Sequence, residues 1–477
     1  MKLLVVTQYF HPENFRVNDL VEGMVARGHE VTVLTGLPNY PTGRWFEGYG
    51  LRRGPWRETA FGAEVLRVPM LARGPGGGLR LALNFLSFAL AGVLLGAPRL
   101  RGRRFDAIFV FEVSPVTVGL PAIAAKRLTG APILFWVLDL WPESLTAAGG
   151  ASLRRLLRPA DALTRWIYRR CDRVLAQSRG FLVRLREQGV PDERVRYFPS
   201  WAESLYRPVD TPEPAPPKPR DDAATAYAAA SSAGAGAAGP VAGHEGPDPS
   251  GGAGATQGRA GAGRLPATGV DATAAPSLAQ ACVPLPELPD GFRVLFAGNI
   301  GVAQDFPTLL AAAERLRERR DIQWLIAGDG RMRAWVQAEI ERRGLAPTVR
   351  LLGSLPMSSM PALFSRADAL LVTLRDEPIF ALTIPGKIQS YLACARPVIA
   401  ALAGEGARVV SEAQAGLACP PEDPAALAAA VATLADLPDT ERRAMGDRAR
   451  ACYLGQFDRE RAFIRLEQWV RELHELP

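Results

Sequence analysis

From residue 206 to 290 the chain is dominated by Ala, Gly, Pro, Ser and Thr, as in Ala228-Ala-Ala-Ser-Ser-Ala-Gly-Ala-Gly-Ala-Ala-Gly239. Such a stretch has few large apolar side chains with which to offset the entropy of ordering its backbone. It is expected to be a disordered linker that carries no chemistry. A 477-residue chain interrupted there must build its cores on either side. The division expected is a first domain over 1–205, a second over 291–455, and a closing helix over 456–477 that packs back toward the first.

Both flanks alternate strand-like and helix-like segments. Strands are expected at Leu3–Tyr9, Glu30–Thr35, Val65–Val68, Ala107–Phe111, Ile133–Leu138 and Arg173–Ala176, with a helix at Val17–Arg27. After the linker the pattern resumes at Phe292–Ala297, Gln323–Ala327, Val349–Leu352, Ala369–Thr373 and Pro397–Ala400, and ends in an amphipathic helix at Phe463–Leu476. Strands separated by helices imply parallel sheets with right-handed crossovers, so the fold class is α/β with two layered domains.

Charge is unevenly placed. Residues 1–205 hold 28 Lys and Arg against 17 Asp and Glu, a surplus of 11 in a chain whose total is +7. A basic half suits either nucleic acid or an anionic membrane. The apolar run Leu81–Ala97, with no formal charge and with Arg73, Arg80, Arg99, Arg101, Arg103 and Arg104 around it, favours the membrane over nucleic acid. The run is shorter than the roughly 20 residues of a spanning helix and stops at Pro98. Two readings stay open, a buried domain helix and a helix lying in the membrane interface. The first ten residues read as a strand rather than a signal peptide, and Cys171, Cys282, Cys394, Cys419 and Cys452 form no C-x-x-C pair. A cytoplasmic protein without disulfides or a zinc cluster is expected.

No G-x-G-x-x-G follows the first strand and no G-x-x-x-x-G-K-[ST] occurs, which lowers dinucleotide and ATP chemistry in rank. In the second domain the turn Gly298-Asn-Ile-Gly301 runs from a strand toward a helix, a place where backbone can approach phosphate. Gly328-Asp329-Gly330 makes a similar turn, in which Asp329 is either a ligand contact or a helix cap. Pro385-Gly386 breaks the chain before an apolar helix whose first turn holds Lys387. A cation there opposes the helix dipole unless an anion joins it, so Lys387 is a candidate phosphate ligand. In the first domain, His11-Pro-Glu13 to Arg16 and Asp139-Leu-Trp-Pro-Glu143-Ser144 follow strands of one sheet. Glu13, Arg16, Asp139 and Glu143 are therefore candidates for one cleft, the alternatives being helix caps for the glutamates and a surface charge for Arg16.

Together with Gly28–Thr35, Pro38–Gly43 and Gln304, the stretches Tyr9–Glu13, Asp139–Ser144, Ala297–Gly301 and Pro385–Ala393 resemble glycosyltransferase family 4, of GT-B fold. Within it the resemblance is nearest to L-fucosamine (N-acetyl-L-fucosamine) transferases and colanic-acid-type enzymes of bacterial surface-polysaccharide assembly. The resemblance implies two face-to-face Rossmann-like domains, the first binding the acceptor and the second the donor. It places Gly298, Asn299, Gly301, Gln304 and Lys387 near a diphosphate, Gly353 and Leu355 near a base, and Glu405 and Gly406 near sugar or phosphate, with Asp329, Pro385 and Gln389 also on the donor side. Two glutamates frequent in the family fall at Leu382 and Ser390, and the basic residues after its first glycine turn are missing.

The chemistry so implied is retaining transfer from a UDP-sugar to an undecaprenyl-diphosphate-linked saccharide at the inner face of the plasma membrane. Lys387 and the backbone N–H groups of 298–301 would stabilise the leaving diphosphate, and Asp139 or Glu13 would position the acceptor hydroxyl. The sequence has no D-x-D motif, so neither a metal nor a cofactor is expected. The rival readings are a non-hydrolysing sugar-nucleotide epimerase and a catalytically silent scaffold that binds nucleotide-sugar at a membrane.

Overall fold

The computed structural model describes residues 1–74, 77–144, 154–209 and 285–475. Met1–Thr211 and Cys282–Pro477 fall in one compact unit. The greater part of the low-complexity stretch, 210–284, lies outside the described residues, and with it the expected disorder and Cys282. Its described flanks are packed: Tyr206 stacks on Phe364 with ring centroids 5.9 Å apart, and Leu285 and Leu288 rest on the second domain's core.

The first sheet contains β1 (Lys2–Val6), β2 (Glu30–Gly36), β3 (Arg57–Ala60), β4 (Ala63–Val68), β5 (Ala107–Glu112), β6 (Ile133–Val137), β7 (Arg173–Ala176) and β8 (Val195–Tyr197). Their order is β3-β4-β2-β1-β5-β6-β7-β8. All neighbours are parallel except β3 and β4, which form a hairpin absent from the sequence reading. Its two loop residues, Phe61 and Gly62, both have positive φ (52° and 76°), the geometry that a two-residue hairpin turn needs. The second sheet is wholly parallel: β9 (Phe292–Ala297), β10 (Ile322–Ala327), β11 (Val349–Gly353), β12 (Ala369–Thr373), β13 (Val398–Ala401) and β14 (Gly416–Cys419), in the order β11-β10-β9-β12-β13-β14.

In each sheet the winding reverses beside the first strand, between β1 and β5 and between β9 and β12. Loops leaving the carboxyl ends of those strands diverge and leave a crevice. This topology, rather than any single motif, fixes where a ligand can enter. The C-terminal helix Arg459–Glu475 belongs to the first domain's core, where Phe463, Leu466 and Val470 join Leu3, Val5, Trp136 and Trp201. Arg459 pairs with Asp19 at 2.8 Å, and Glu467 with Arg27 at 2.6 Å, closing the helix onto the first domain.

The apolar run forms part of a helical segment Gly78–Leu100 of 23 residues, the one segment among the described residues long and apolar enough to cross a membrane. It outruns the expected stop because Pro98 sits in the first turn of a 3₁₀ extension (Ala97–Leu100), where a missing N–H costs little. One face is docked: Asn84, Phe88, Ala89, Gly92 and Gly96 are buried. The other exposes Leu79, Leu83, Leu86, Leu90, Leu94 and Leu95 by 44–75%. One face is thus buried as a domain helix would be, and the other is apolar and exposed.

Candidate active site

The donor-side half is built on the carboxyl ends of β9 and β10. The turns that follow interlock so closely that a Cβ on Gly328 would lie 1.9 Å from the Gly298 carbonyl oxygen, and one on Gly330 would lie 2.4 Å from that of Ile300. Glycine is required at both for steric reasons. The interlocking also consumes donors. Gly298 N–H donates to Ala327, Ile300 N–H to the Asp329 carbonyl, and Gly301 N–H to Gln304 Oε1 at 3.1 Å. The expected oxyanion cradle of 298–301 backbone groups is therefore largely occupied by the fold itself. The Asp329 side chain accepts from Gly330 N–H, so it shapes its own turn.

Lys387 stands in the first turn of the helix Gly386–Ala393, with Nζ 3.6 Å from the Phe296 ring centroid. Its side chain passes over Gly298, where an added Cβ would come within 2.6 Å of Cε. Lys387 makes no ion pair among the described residues. Desolvation lowers its pKa to about 7. A half-buried ammonium with no counter-anion, at the end of a helix where N–H groups lack intrahelical acceptors, is a cation held ready for an anionic ligand. Gln389 is fully buried, and with its amide nitrogen turned inward it donates to the Pro385 and Gly386 carbonyls, which fixes the helix start. Pro385 packs on buried Gly406.

Across the crevice a cleft of about 300 Å³ separates the domains, lined by Phe15, Arg16, Leu138, Glu203, Ile384 and Gly386, among others. Leu138 and Gly386, which line it, are the chain neighbours of Asp139 and Lys387. Arg16 pairs with Glu203 at 3.2 Å while its Nη1 is buried without a partner. Asp139 accepts hydrogen bonds from the Ser144 and Ser114 hydroxyls, and burial raises its pKa. Behind it lies Glu112, fully buried at the end of β5, which accepts from Asp139 N–H at 3.3 Å. Burial first, and the Asp139 carboxylate second, push the Glu112 pKa well up. Glu112 lies one residue beyond the strand expected at Ala107–Phe111; an acid closing an apolar strand just before Ser114-Pro115 is the sequence signal that marks it.

Glu13 is 1% exposed. Its carboxylate accepts from the backbone N–H groups of Phe10, Asn39 and Tyr40 at 2.7–3.1 Å, and burial raises its pKa to about 7 against those donors. It organises the loops after β1 and β2 and does not present a carboxylate to the cleft. Glu143 pairs with Arg184. Among the described residues no group of three or more His, Cys, Asp or Glu side chains is placed to hold a metal ion.

Residues 14–201 match the glycosyl transferase 4-like domain, and residues 291–436 match glycosyl transferases group 1. The chain is a glycosyltransferase of the GT-B architecture. It is 25% identical over 405 residues to a protein named as the colanic acid biosynthesis glycosyl transferase WcaI of Escherichia coli, covering 82% of this chain and 81% of that one. In fold it resembles sucrose-phosphate synthase from Thermosynechococcus elongatus, with a TM-score of 0.65 at 17% identity over 100% of this chain and 99% of that one. It also resembles Anabaena HepE in complex with UDP, with a TM-score of 0.59 at 14% identity over the whole of both chains.

Within this glycosyltransferase the remaining expected donor-side residues separate into two groups. Gly353 (φ 76°) accepts from Gly328 N–H at 2.7 Å, and with half-buried Leu355 it borders the glycine turns. Glu405 is committed to Arg408 at 2.7 Å and to the N–H of Arg179 in the first domain at 3.2 Å, so it ties the domains together. Leu382 occupies one of the family's two glutamate positions and packs into the first domain's core beside Gly180. Ser390, at the other, is buried and donates back to Gly386. Hydrophobic and helical packing fill both positions, and Lys387 remains without an ion-pair partner among the described residues.

Proposed function

We propose that this glycosyltransferase moves a sugar, with retention, from a UDP-sugar to an undecaprenyl-diphosphate-linked saccharide at the inner face of a bacterial plasma membrane, in surface-polysaccharide synthesis. The observation that carries the reading is Lys387, a desolvated cation without an ion-pair partner among the described residues, at a helix start over the Gly298 turn and next in the chain to Gly386 of the interdomain cleft. A nucleoside diphosphate supplies the counter-charge this position lacks.

In the reaction the bond from C1 of the sugar to the β-phosphate oxygen breaks, and a bond from the acceptor oxygen to C1 forms on the same face. The acceptor proton passes to the departing phosphate oxygen. Charge grows on that oxygen in the transition state, so an ammonium placed there stabilises the transition state more than the ground state. In this reading Asp139 orients the acceptor; its acceptance of two hydroxyl hydrogen bonds and its position next in the chain to Leu138 of the cleft support that role. The exposed leucines of the Gly78–Leu100 segment, with the arginines around it, support attachment to an anionic membrane surface.

The test is incubation with a panel of UDP-sugars, UDP-N-acetyl-L-fucosamine first, and a lipid-linked N-acetylhexosamine, with mass analysis of the lipid. A gain of one sugar, lost in Lys387→Met, supports the proposal. Conversion of the donor with no acceptor present would replace it with epimerisation, and nucleotide binding with no turnover would leave a scaffold.

A further inference from the structure

An aromatic cluster lies between the cleft and the apolar helix Gly78–Leu100 and has no part in the chemistry described above. Phe15, which lines the cleft, stacks on Tyr9 with centroids 4.9 Å apart and planes 14° apart. Tyr40 leans against both, at 5.2 Å from Phe15 and 5.9 Å from Tyr9, and is 38% exposed. Over Tyr40 and Tyr9, at 5.2 and 6.0 Å, lies the Arg73 guanidinium. Arg73 has no carboxylate partner among the described residues, and its backbone N–H donates to Asn39 Oδ1 at 3.1 Å.

The cluster is held rigidly to the apolar helix. Asn84, on that helix's buried face, accepts from Gln8 Nε2 at 2.8 Å and donates to the Leu71 carbonyl at 2.5 Å and to Asn39 Oδ1 at 3.4 Å. Leu71 N–H donates to Ser87 of the same helix at 3.0 Å, and its side chain is exposed, two residues before Arg73. Glu13 grips the backbone of Asn39 and Tyr40, which gives that buried carboxylate a positioning task. Contacts thus run from the apolar helix through Asn84, Asn39 and the backbone of residues 71–73 to the guanidinium, then to the Tyr40 and Tyr9 rings and through Phe15 to the cleft.

We propose that Arg73 and Tyr40, backed by buried Tyr9, seat the diphosphate and first sugar of the acceptor, with the apolar helix on the side of its lipid tail and the cleft on the side of the reacting hydroxyl. A prenyl-diphosphate saccharide presents apolar chain, two adjacent negative charges and a sugar ring in that same order. Guanidinium reads phosphate oxygens in pairs, and tyrosine faces suit the C–H face of a sugar. This inference rests on the lipid-linked acceptor proposed above.

The test uses full-length protein in detergent with two acceptors that carry the same saccharide, one on a short prenyl diphosphate and one on a neutral alkyl chain of similar length. Wild type is expected to favour the diphosphate acceptor. Arg73→Gln should raise KM for it roughly ten- to a hundredfold, the range of a lost charge-assisted hydrogen bond, and remove the preference. Affinity for UDP should be unchanged, which also shows that the variant is folded. Arg73→Lys should recover part of the loss, and Tyr40→Ala should raise KM for both acceptors where Tyr40→Phe does not. Transfer by wild type with unaltered acceptor KM and preference in Arg73→Gln overturns this inference alone. Wild type that binds UDP but glycosylates neither acceptor overturns the lipid-linked reading and this inference with it.

Discussion

Replacing Lys387 by Met removes the ammonium and keeps the apolar stem, so it isolates the charge. In the free protein desolvation holds this group near 7, against an ordinary value of 10.5. Restoring the ordinary value on binding corresponds to roughly 5 kcal/mol, at about 1.4 kcal/mol per tenfold in proton affinity. That is an upper limit on what a diphosphate gains by meeting it. The sign follows directly: above pH 7 the free lysine is largely neutral, the bound one is charged, and binding takes up a proton. The second ionisation of a phosphate lies near pH 6, so the ligand is already fully charged and does not confuse the trend. The Kd for UDP should therefore rise about fiftyfold between pH 7 and pH 9, with close to one proton taken up at the upper end. Calorimetry in two buffers of different ionisation enthalpy measures both quantities. The Met variant should bind UDP more weakly, with little dependence on pH. A flat profile in wild type, or the same slope in the variant, would refute the reasoning.

The same depressed pKa makes a second, opposite prediction for the empty protein. Its stabilising contribution is present above the unfolded value of 10.5 and lost as pH falls through about 7, so Lys387→Met should unfold at a temperature no lower than wild type, with the gap widening toward pH 6. Gly298→Ala should mimic the loss of Lys387 in UDP affinity, because its Cβ would displace Cε and its φ is 134°; unchanged affinity would show that the lysine is not held there. Leu90→Asp with Leu94→Asp should abolish sedimentation with anionic vesicles while shifting stability by only about 0.5 kcal/mol, since both side chains are exposed. Phe463→Ala should cost about 3–5 kcal/mol in urea unfolding, because this ring is fully buried between the C-terminal helix and the first domain.

Periodicity made the two βα series legible, since β5, β6, β10 and β12 are buried on both faces and read as near-continuous apolar runs. The turns at 298–301 and 328–330 were legible for the same reason that they need glycine, namely backbone meeting backbone. What a linear reading could not supply was whether a donor is still free once the chain folds. Three of the four N–H groups at 298–301 are spent on neighbours, and Gln389, read as a ligand contact, turns inward to its own helix start. Glu13 is expected from sequence to position the acceptor and Glu405 to meet sugar or phosphate, whereas in the structure both carboxylates accept from backbone N–H groups of distant segments, which sequence spacing cannot reveal. Glu112 was missed because a single acid at a strand end has no pattern around it. The apolar helix was ambiguous because its composition is alike on both faces, and only docking shows which leucines stay outside.

The most direct test of the central claim is to give the purified enzyme a lipid-linked N-acetylhexosamine acceptor with a panel of UDP-sugars and to weigh the lipid product, wild type beside Lys387→Met. The account predicts a lipid heavier by one sugar in wild type with at least one donor, reduced by two or more orders of magnitude in the variant, about what loss of one preorganised charge costs. A variant that transfers sugar as fast as wild type, or a wild type that binds UDP and leaves every lipid acceptor unchanged, would contradict it.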